Sequence, residues 1–269
     1  MIVTDSSIFI HLQKTGGTHV AKVLSELLDI DASVSHDQLR KPDPTREIIM
    51  GIRNPWDWYV SLWAYGCQSK GRLFGYTTSP KLAAARLPLG ASLKNPSRWR
   101  DLSIHLRNLI NKDDGFWRDC YANSEDPECF RAWIKAIMTE HTSRQTGEEY
   151  SALALNESCG LMTSRFLKLS LPLSNWNTVR NSIKTPSDAK QVIAKYGLVS
   201  RYIRTEHMSE DLHKWIQTVR PETSFDDVDS FARTNTSDRR DAKFYFDDAT
   251  MAMVGTRDAV ITQMHGYSL

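Results

Sequence analysis

The amino-acid sequence predicts an α/β fold: a single domain over residues 1–269, with a central parallel sheet flanked by helices. Two strand-like runs are each followed by a polar loop and a helix-like pattern, which is the repeating unit of parallel sheets. A third strand-like run, "VSRYIRTEHM", comes late in the chain. Neither an internal repeat nor a low-complexity linker interrupts the sequence, so one domain is the simplest arrangement.

The first strand-loop-helix unit begins at Ser7. The run from Ser7 to Leu12 is short, apolar and β-branched, which predicts a strand buried on both faces. The loop "QKTGGT" follows it. Apolar residues then recur at helical spacing, and the buried face of the predicted helix holds Val20, Val23, Leu24, Leu27 and Leu28.

The second unit lies in "EIIMGIRNPWDWYVSLWAYG". Ile48 to Ile52 predict another buried strand, Asn54 is a favourable helix N-cap, and Pro55 suits the first helical position. The next helix carries a stripe of large side chains, for which core packing is favoured over stacking on a ligand: Trp56, Tyr59, Val60 and Trp63.

Beyond the second helix, periodicity is lost from about residue 66 to residue 99, which predicts an irregular excursion that could shape an acceptor cleft. Helical spacing returns in "LSIHLRNLI" and "CFRAWIKAIM". A capped helix is expected to start at Thr185, and another at Ser209 as its N-cap. "DDATMAMVGTRDAVITQM" predicts one final amphipathic helix.

The composition excludes several classes of protein. Lys and Arg number 34 and Asp and Glu number 32, a formal charge of +2, so neither nucleic acid nor a membrane surface is an expected partner. Without signal-peptide regions or a bilayer-length apolar stretch, the chain is expected to be cytoplasmic and to lack a membrane anchor. The four cysteines form no CxxC pair, which disfavours structural zinc, although Cys120 and Cys129 are close enough in sequence to pair.

The loop after the first strand has the composition of an anion site. Backbone N–H groups at a glycine-rich turn and at the start of a helix form a positive concavity that suits phosphate or sulfate. Gly16 and Gly17 let the backbone approach the anion, Lys14 adds a charge, and the hydroxyls of Thr15 and Thr18 can donate further hydrogen bonds. A tight turn with Lys14 on the solvated surface is the alternative for the same residues.

The order of these residues separates the loop from the Walker A motif, in which the lysine follows the glycines. Here Lys14 precedes both glycines, and no apolar strand ends in an aspartate placed to hold Mg²⁺. The sequence therefore predicts a loop that binds phosphate, but no residues that are placed to bind a metal ion. A nucleotide kinase or NTPase on a related fold stays open as an alternative, as does a binding module without turnover.

"HLQKTGGTHV" and "IRNPWDWYVSLWAY" resemble, in this order, the two nucleotide-binding motifs of the sulfotransferase superfamily, in particular its carbohydrate O-sulfotransferase branch. The resemblance implies a P-loop nucleotide-kinase-like fold and 3′-phosphoadenosine-5′-phosphosulfate (PAPS) as the sulfate donor, with no metal ion. It also implies transfer to a hydroxyl of a carbohydrate or another small acceptor. Weaker similarity appears in "YIRTEHMSEDL" and in the C-terminal segment.

The same resemblance assigns residues to the donor. The 5′-phosphosulfate is expected to bind Lys14, Thr15, Gly16, Gly17 and Thr18, and Lys14 is also expected to stabilise the leaving phosphate. Arg53 and Ser61 match the residues that hold the 3′-phosphate, and an arginine fork suits phosphate geometry. Trp58 stands where many members have a second basic residue, so one phosphate contact is absent.

An acceptor hydroxyl also needs a general base with a pKa near neutral, and histidine is the usual choice. His36 lies in "SVSHDQLRKPD", the region where related carbohydrate sulfotransferases place their catalytic histidine, and Asp37 is expected to orient it. The other candidates for lining the pocket or for acting as the base are His11, His19, Glu206 and His207.

A polar stretch before the last helix, "RTNTSDRRDAKFYF", contains four basic residues: Arg233, Arg239, Arg240 and Lys243. By resemblance such a segment closes over the nucleotide or the acceptor. The interspersed aspartates suit a solvated linker equally well.

Overall fold

The computed structural model describes residues 1–32, 36–85, 99–231 and 239–269. The chain divides into two compact units. The first comprises Met1–Asn54, Arg165–Val179 and Gln191–Thr236, and the second comprises Pro55–Ser164, Arg180–Lys190 and Ser237–Leu269. The assignment of all residues to one domain stays a prediction.

The first unit contains the sheet. Within the described residues it has four strands in the spatial order β1 (Ile2–Val3), β2 (Ser7–Ile10), β3 (Glu47–Ile52) and β4 (Arg201–Arg204). β1 pairs antiparallel with β2, whereas β2 with β3 and β3 with β4 are parallel. The prediction of an α/β protein is confirmed, and the sheet that was predicted to be parallel is mostly parallel, because β1 adds one antiparallel strand at its edge.

Helices α1 (Gly17–Leu28) and α2 (Pro55–Cys67) directly follow β2 and β3, as predicted. The other helices with described bounds are Arg72–Thr78, Trp99–Ile110, Asp114–Cys120, Pro127–Met138, Glu140–Ser143, Leu161–Ser170, Leu173–Val179, Pro186–Tyr196, Met208–Val219, Phe225–Asp229, Ala242–Tyr245, Asp248–Arg257 and Ala259–His265. Short 3₁₀ turns lie at Arg144–Thr146, Glu149–Ala152, Ala154–Glu157 and Thr205–His207. None of the described helices is both long enough and apolar enough to cross a lipid bilayer.

Within the first unit, helices cover both faces of the sheet. The predicted apolar face of α1 is buried together with helix Met208–Val219, and the ring of Phe9 on β2 stacks on Trp215 at 5.7 Å. The indole N–H of Trp215 donates to the Ser7 hydroxyl at 3.0 Å. On the opposite face, Phe166 stacks on Tyr202 of β4 at 6.2 Å. A strand covered on both faces needs the continuous apolar sequence that β2 and β3 have.

The second unit has an aromatic core. The predicted stripe of α2 is buried, and the same is true of the apolar face of helix Pro127–Met138. The ring of Trp63 packs edge-on against Phe130 at 5.3 Å, and that of Tyr59 against Trp133 at 6.3 Å. The α2 aromatics are therefore core residues, as predicted.

The stretch from residue 66 to residue 99 is not irregular throughout. Arg72–Thr78 form a helix and residues 81–85 are helical, while residues 86–98 lie outside the described part of the chain. The helix forms because Leu73, Tyr76 and Thr77 are buried at helical spacing.

Ser209 is not the N-cap that the sequence predicted. It lies inside helix Met208–Val219, which continues directly from the 3₁₀ turn Thr205–His207. The Asp211 carboxylate in the first turn of that helix accepts hydrogen bonds from the backbone N–H and the guanidinium of Arg204, each at 2.9 Å. These bonds fix the start of the helix at the end of β4.

The predicted single C-terminal helix is also wrong, because the chain forms two helices that meet at Asp258. The Asp258 carboxylate is fully buried and accepts hydrogen bonds from the Tyr59 hydroxyl at 2.7 Å and from the Thr163 N–H and hydroxyl at 2.8 and 2.7 Å. A carboxylate anchored in this way interrupts the helix.

Candidate functional site

The loop of the first motif and Arg53 of the second lie at the same edge of the sheet. The loop 11–16 follows β2, Arg53 follows β3, and the two strands are parallel neighbours. The guanidinium Nη1 of Arg53 donates to the carbonyl oxygen of Lys14 at 3.0 Å. Ligands of α/β proteins bind at this carboxyl edge.

The backbone of the loop has the geometry of an anion cradle. Lys14 and Gly16 have φ of 65° and 78°, whereas φ of Thr15 and Gly17 is negative. Alternation of this kind turns successive N–H groups toward one side. The N–H groups of Thr15, Gly16 and Thr18 make no hydrogen bond within the described residues, and α1 begins at Gly17, which adds the positive end of its dipole.

The two glycines are required for different reasons. Gly16 occupies the left-handed region, where a side chain is unfavourable, and a Cβ there would lie 2.3 Å from the Met208 methyl carbon. Gly17 has an ordinary helical conformation. A Cβ on Gly17 would lie 2.3 Å from Cδ2 of the His11 ring, so the ring needs the absence of a side chain.

The Thr15 hydroxyl does not serve as the anion donor that the sequence suggested. It donates to the Leu12 carbonyl at 2.6 Å, and Thr15 is fully buried close to Gly51 of β3. Thr15 can therefore offer an anion its backbone N–H only. Thr18 is exposed at the start of α1, which agrees with the predicted role of its hydroxyl.

The exit of β3 is held on both sides of Arg53. The Thr205 hydroxyl donates to the Ile52 carbonyl at 3.0 Å, and the Asn54 N–H donates to the Glu206 carboxylate at 2.7 Å. Glu206, one of the further candidates for the general base, thus anchors the backbone next to Arg53. His207, another of those candidates, lies 3.7 Å from the Glu210 carboxylate.

His36 lies against the strand end that leads into the loop. Its ring centroid is 4.5 Å from that of His11, and its Nδ1 is 3.3 Å from the His11 carbonyl oxygen. Because a carbonyl only accepts, Nδ1 is the protonated nitrogen and Nε2 keeps its lone pair. Asp37 was expected to orient the ring, but among the described residues it forms no hydrogen bond with His36, and the His11 carbonyl has that role.

Burial is the largest cause that lowers the pKa of His36, and the charges of the Met1 amino group and Arg165 act in the same direction. The hydrogen bond to His11 and the charge of Asp37 oppose the shift. Much of the His36 side chain is exposed, so only the side of the ring that packs against the protein is shielded from water. Its neutral, basic form therefore predominates at neutral pH.

Sequence reasoning missed the hydrogen bond between His11 and Gly17. The backbone N–H of Gly17 donates to Nε2 of His11 at 3.2 Å, and His11 is buried. The sequence contained one signal, a polar ring at the end of an apolar strand that is followed six residues later by a glycine. Only the structure shows that this glycine has no conformational need to be one.

The remaining predicted donor residue, Ser61, lies on α2 in the second unit and is buried. Trp58, on the same helix, is also buried and packs edge-on against Tyr59 at 4.8 Å. A buried aromatic residue explains why no second basic residue stands at this position of the motif.

The basic segment before the C-terminal helices has carboxylate partners in the second unit. Arg239 pairs with Asp57, and Arg240 pairs with Glu125 at 2.7 Å. Arg233 lies outside the described residues. These ion pairs favour a structural role for the described part of the segment.

The first unit also contains a cavity of about 810 Å³ beside the segment that follows His36. Its lining includes Ile8, Asp37, Arg40, Lys41 and Leu173. Within the described residues, no group of three or more His, Cys, Asp or Glu side chains could hold a metal ion, and Cys120 and Cys129 are free thiols.

Comparison of the chain with protein-family models, curated proteins and solved structures found no match. The site is defined here by its geometry: Lys14, Arg53, His36 and loop amides that have no hydrogen-bond partner among the described residues lie where two neighbouring strands end.

Proposed function

We propose that the protein is a sulfotransferase that uses PAPS and transfers a sulfuryl group to a hydroxyl of a carbohydrate or another small acceptor. The observation that carries the proposal is the hydrogen bond between Arg53 and the Lys14 carbonyl, 3.0 Å long. It brings the loop that resembles the phosphosulfate motif of sulfotransferases next to Arg53, the first residue that resembles their 3′-phosphate motif. The mostly parallel sheet fits the P-loop nucleotide-kinase-like fold that the proposal requires.

The residues of the loop fit an anionic donor. Three backbone N–H groups that have no partner in the described part of the chain, the Lys14 ammonium and the first turn of α1 can together bind a phosphosulfate. Arg53, whose guanidinium is positioned at the exit of β3 by the Lys14 carbonyl, is the proposed ligand of a second phosphate, because an arginine fork suits phosphate geometry. PAPS would supply the activated sulfuryl group, and no role is assigned to a metal ion.

In the proposed reaction, Nε2 of His36 removes the proton of the acceptor hydroxyl, because Nδ1 is held by the His11 carbonyl. Lys14 and the loop amides stabilise the negative charge that develops on the transferred group and on the leaving phosphate. The transfer is in line, so positioning by the loop supplies much of the rate.

Three further parts of the proposal come from the sequence. Ser61 is assigned to the 3′-phosphate and a cytoplasmic location to the chain. The acceptor is assigned to the class of hydroxyl compounds.

Titration calorimetry with 3′,5′-adenosine bisphosphate, with and without Mg²⁺, tests the donor site without knowledge of the acceptor. Binding that is independent of Mg²⁺ and tighter than ATP binding is expected. ATP binding that is tighter and requires Mg²⁺ would favour a nucleotide kinase or NTPase instead.

Transfer of labelled sulfate to a panel of carbohydrate and small hydroxyl acceptors then tests the reaction. Lys14→Ala should slow transfer at least about a hundredfold, whereas Lys22→Ala, which removes an exposed lysine of α1, should not change it. Full activity of Lys14→Ala would refute the proposed function.

A further inference from the structure

His11 contacts two parts of the site at once. Its Nε2 accepts the Gly17 N–H at 3.2 Å, and its carbonyl oxygen accepts the Nδ1–H of His36 at 3.3 Å. The two imidazole rings also pack with their centroids 4.5 Å apart. One residue thereby joins the first amide of α1 to the candidate general base.

Packing alone does not explain a histidine at this position. The side chain is 7% exposed, and its Nδ1 has no hydrogen-bond partner among the described residues. Since Nε2 accepts the Gly17 N–H, Nδ1 carries the proton of the neutral ring and is a buried donor without a partner. Such a donor is unfavourable, and phenylalanine would fill the same space without one.

The His11 ring is neutral at neutral pH. Burial, followed by the charges of His36, the Met1 amino group and Lys14, lowers the pKa of His11 to about 3. Nε2 therefore remains an acceptor at neutral pH. The charged groups that act on His36 are the Met1 amino group, Arg165 and Asp37.

We propose that His11 is a positioning residue for the proposed sulfuryl transfer: its imidazole fixes the Gly17 amide of the donor loop, while its carbonyl and ring fix the tautomer and orientation of His36. The proposal rests on the proposed function. It gives Gly17 a reason to be glycine, because a Cβ there would displace the His11 ring. His11 also holds His36 at a fixed position relative to the donor loop, as a group transfer requires.

Two substitutions separate the two contacts. His11→Phe keeps an aromatic ring against His36 but removes the acceptor for the Gly17 N–H. His11→Gln places an amide oxygen close to the position of Nε2 but removes the ring. His213→Gln is the matched control, because His213 also contacts a backbone carbonyl and an aromatic ring, namely Thr223 at 3.1 Å and Phe225.

Two quantities are measured for each variant: the affinity for 3′,5′-adenosine bisphosphate by calorimetry, and the pKa of the His36 imidazole by NMR titration. His11→Phe is expected to weaken bisphosphate binding about tenfold and to leave the His36 pKa low. His11→Gln is expected to bind the bisphosphate as the wild type does, but with the His36 pKa raised toward its ordinary value of 6.5. The control should change neither quantity.

The proposal is overturned if both variants behave like the control, or if wild-type His36 is protonated on Nε2 rather than Nδ1. Should His11→Phe fail to fold, the His11→Gln titration and the wild-type tautomer decide. Absence of bisphosphate binding by the wild type would instead refute the proposed function. The NMR readout does not depend on activity, so the two failures are distinguishable.

Discussion

The guanidinium of Arg53 donates to the carbonyl oxygen of Lys14 at 3.0 Å, although the two residues are 39 positions apart. The bond links the exits of two neighbouring parallel strands. Arg53 is thus part of the scaffold of the loop as well as a candidate phosphate ligand, and its two roles can be separated by substitution.

Arg53→Ala is expected to weaken the binding of 3′,5′-adenosine bisphosphate about tenfold to a hundredfold, since hydrogen bonds to charged groups contribute about 1.5–3 kcal/mol. The affinity of Arg53→Lys for the bisphosphate should lie between those of Arg53→Ala and the wild type, because an ammonium group keeps the charge but not the forked geometry of the guanidinium. Arg201→Ala is the control: this residue pairs with Glu47 at the opposite end of the parallel strands. Calorimetry would contradict the prediction if Arg53→Ala bound as tightly as the control.

Lys14 has φ of 65°, a conformation that is unfavourable for a residue with a side chain. Lys14→Gly is therefore expected to be about 1 kcal/mol more stable than Lys14→Ala, while both lose at least about a hundredfold in kcat. Thermal unfolding and sulfate transfer measure the two effects.

Asp29 provides the matched control for Lys14, because it has φ of 53° at the C-terminal end of α1. Asp29→Gly should exceed Asp29→Ala in stability by a similar amount without any effect on kcat. Equal stability of the glycine and alanine variants at position 14 would show that the loop is not strained there.

The elements that were predicted well are those whose buried faces form a local pattern of apolar residues in the sequence. β2, β3 and the apolar face of α1 follow directly from short apolar runs and helical spacing. The missed features depend on partners far along the chain. Asp258 breaks the C-terminal helix through Tyr59 and Thr163, and no local pattern signals this contact.

The position of the candidate site could be predicted from the sequence, but the direction of its side chains could not. Lys14 and Gly16 lie close to Arg53 because they follow the ends of neighbouring parallel strands, and the ends of strands can be predicted from sequence. The direction of a small side chain cannot: the Thr15 hydroxyl turns inward to the Leu12 carbonyl instead of toward an anion. The orientation of His36 by a carbonyl rather than by Asp37 belongs to the same class.

Burial is the main cause that raises the pKa of Asp258 above its ordinary value of 3.8. The carboxyl group therefore stabilises the fold most when it is protonated, and this contribution is lost as the pH rises from 3.8 through the raised pKa. Since asparagine cannot ionise, the stability of Asp258→Asn relative to the wild type should increase as the pH rises across that window. Thermal unfolding of both proteins at a series of pH values measures the difference, and a constant difference would refute the prediction.

Tyr59→Phe tests the same buried group by removing one of its donors. At neutral pH this variant should lose about 1–3 kcal/mol of unfolding free energy, because the buried Asp258 carboxyl group loses a hydrogen-bond partner. Tyr196→Phe is the control, since the Tyr196 hydroxyl makes no hydrogen bond within the described residues. Equal losses in the two variants would mean that the Tyr59 hydroxyl does not stabilise Asp258.

His36→Asn should leave the affinity for 3′,5′-adenosine bisphosphate unchanged and lower kcat about a hundredfold to ten-thousandfold, the usual contribution of a general base. In the wild type, kcat/KM should fall as the pH decreases through the pKa of His36 in the free enzyme, because only the neutral ring accepts a proton. Burial lowers that pKa, so the fall should be centred below 6.5. His213→Asn should preserve both the rate and the pH profile. If kcat of His36→Asn equals that of the wild type, another residue is the base; if the profile is centred above 6.5, His36 does not have the environment described for it.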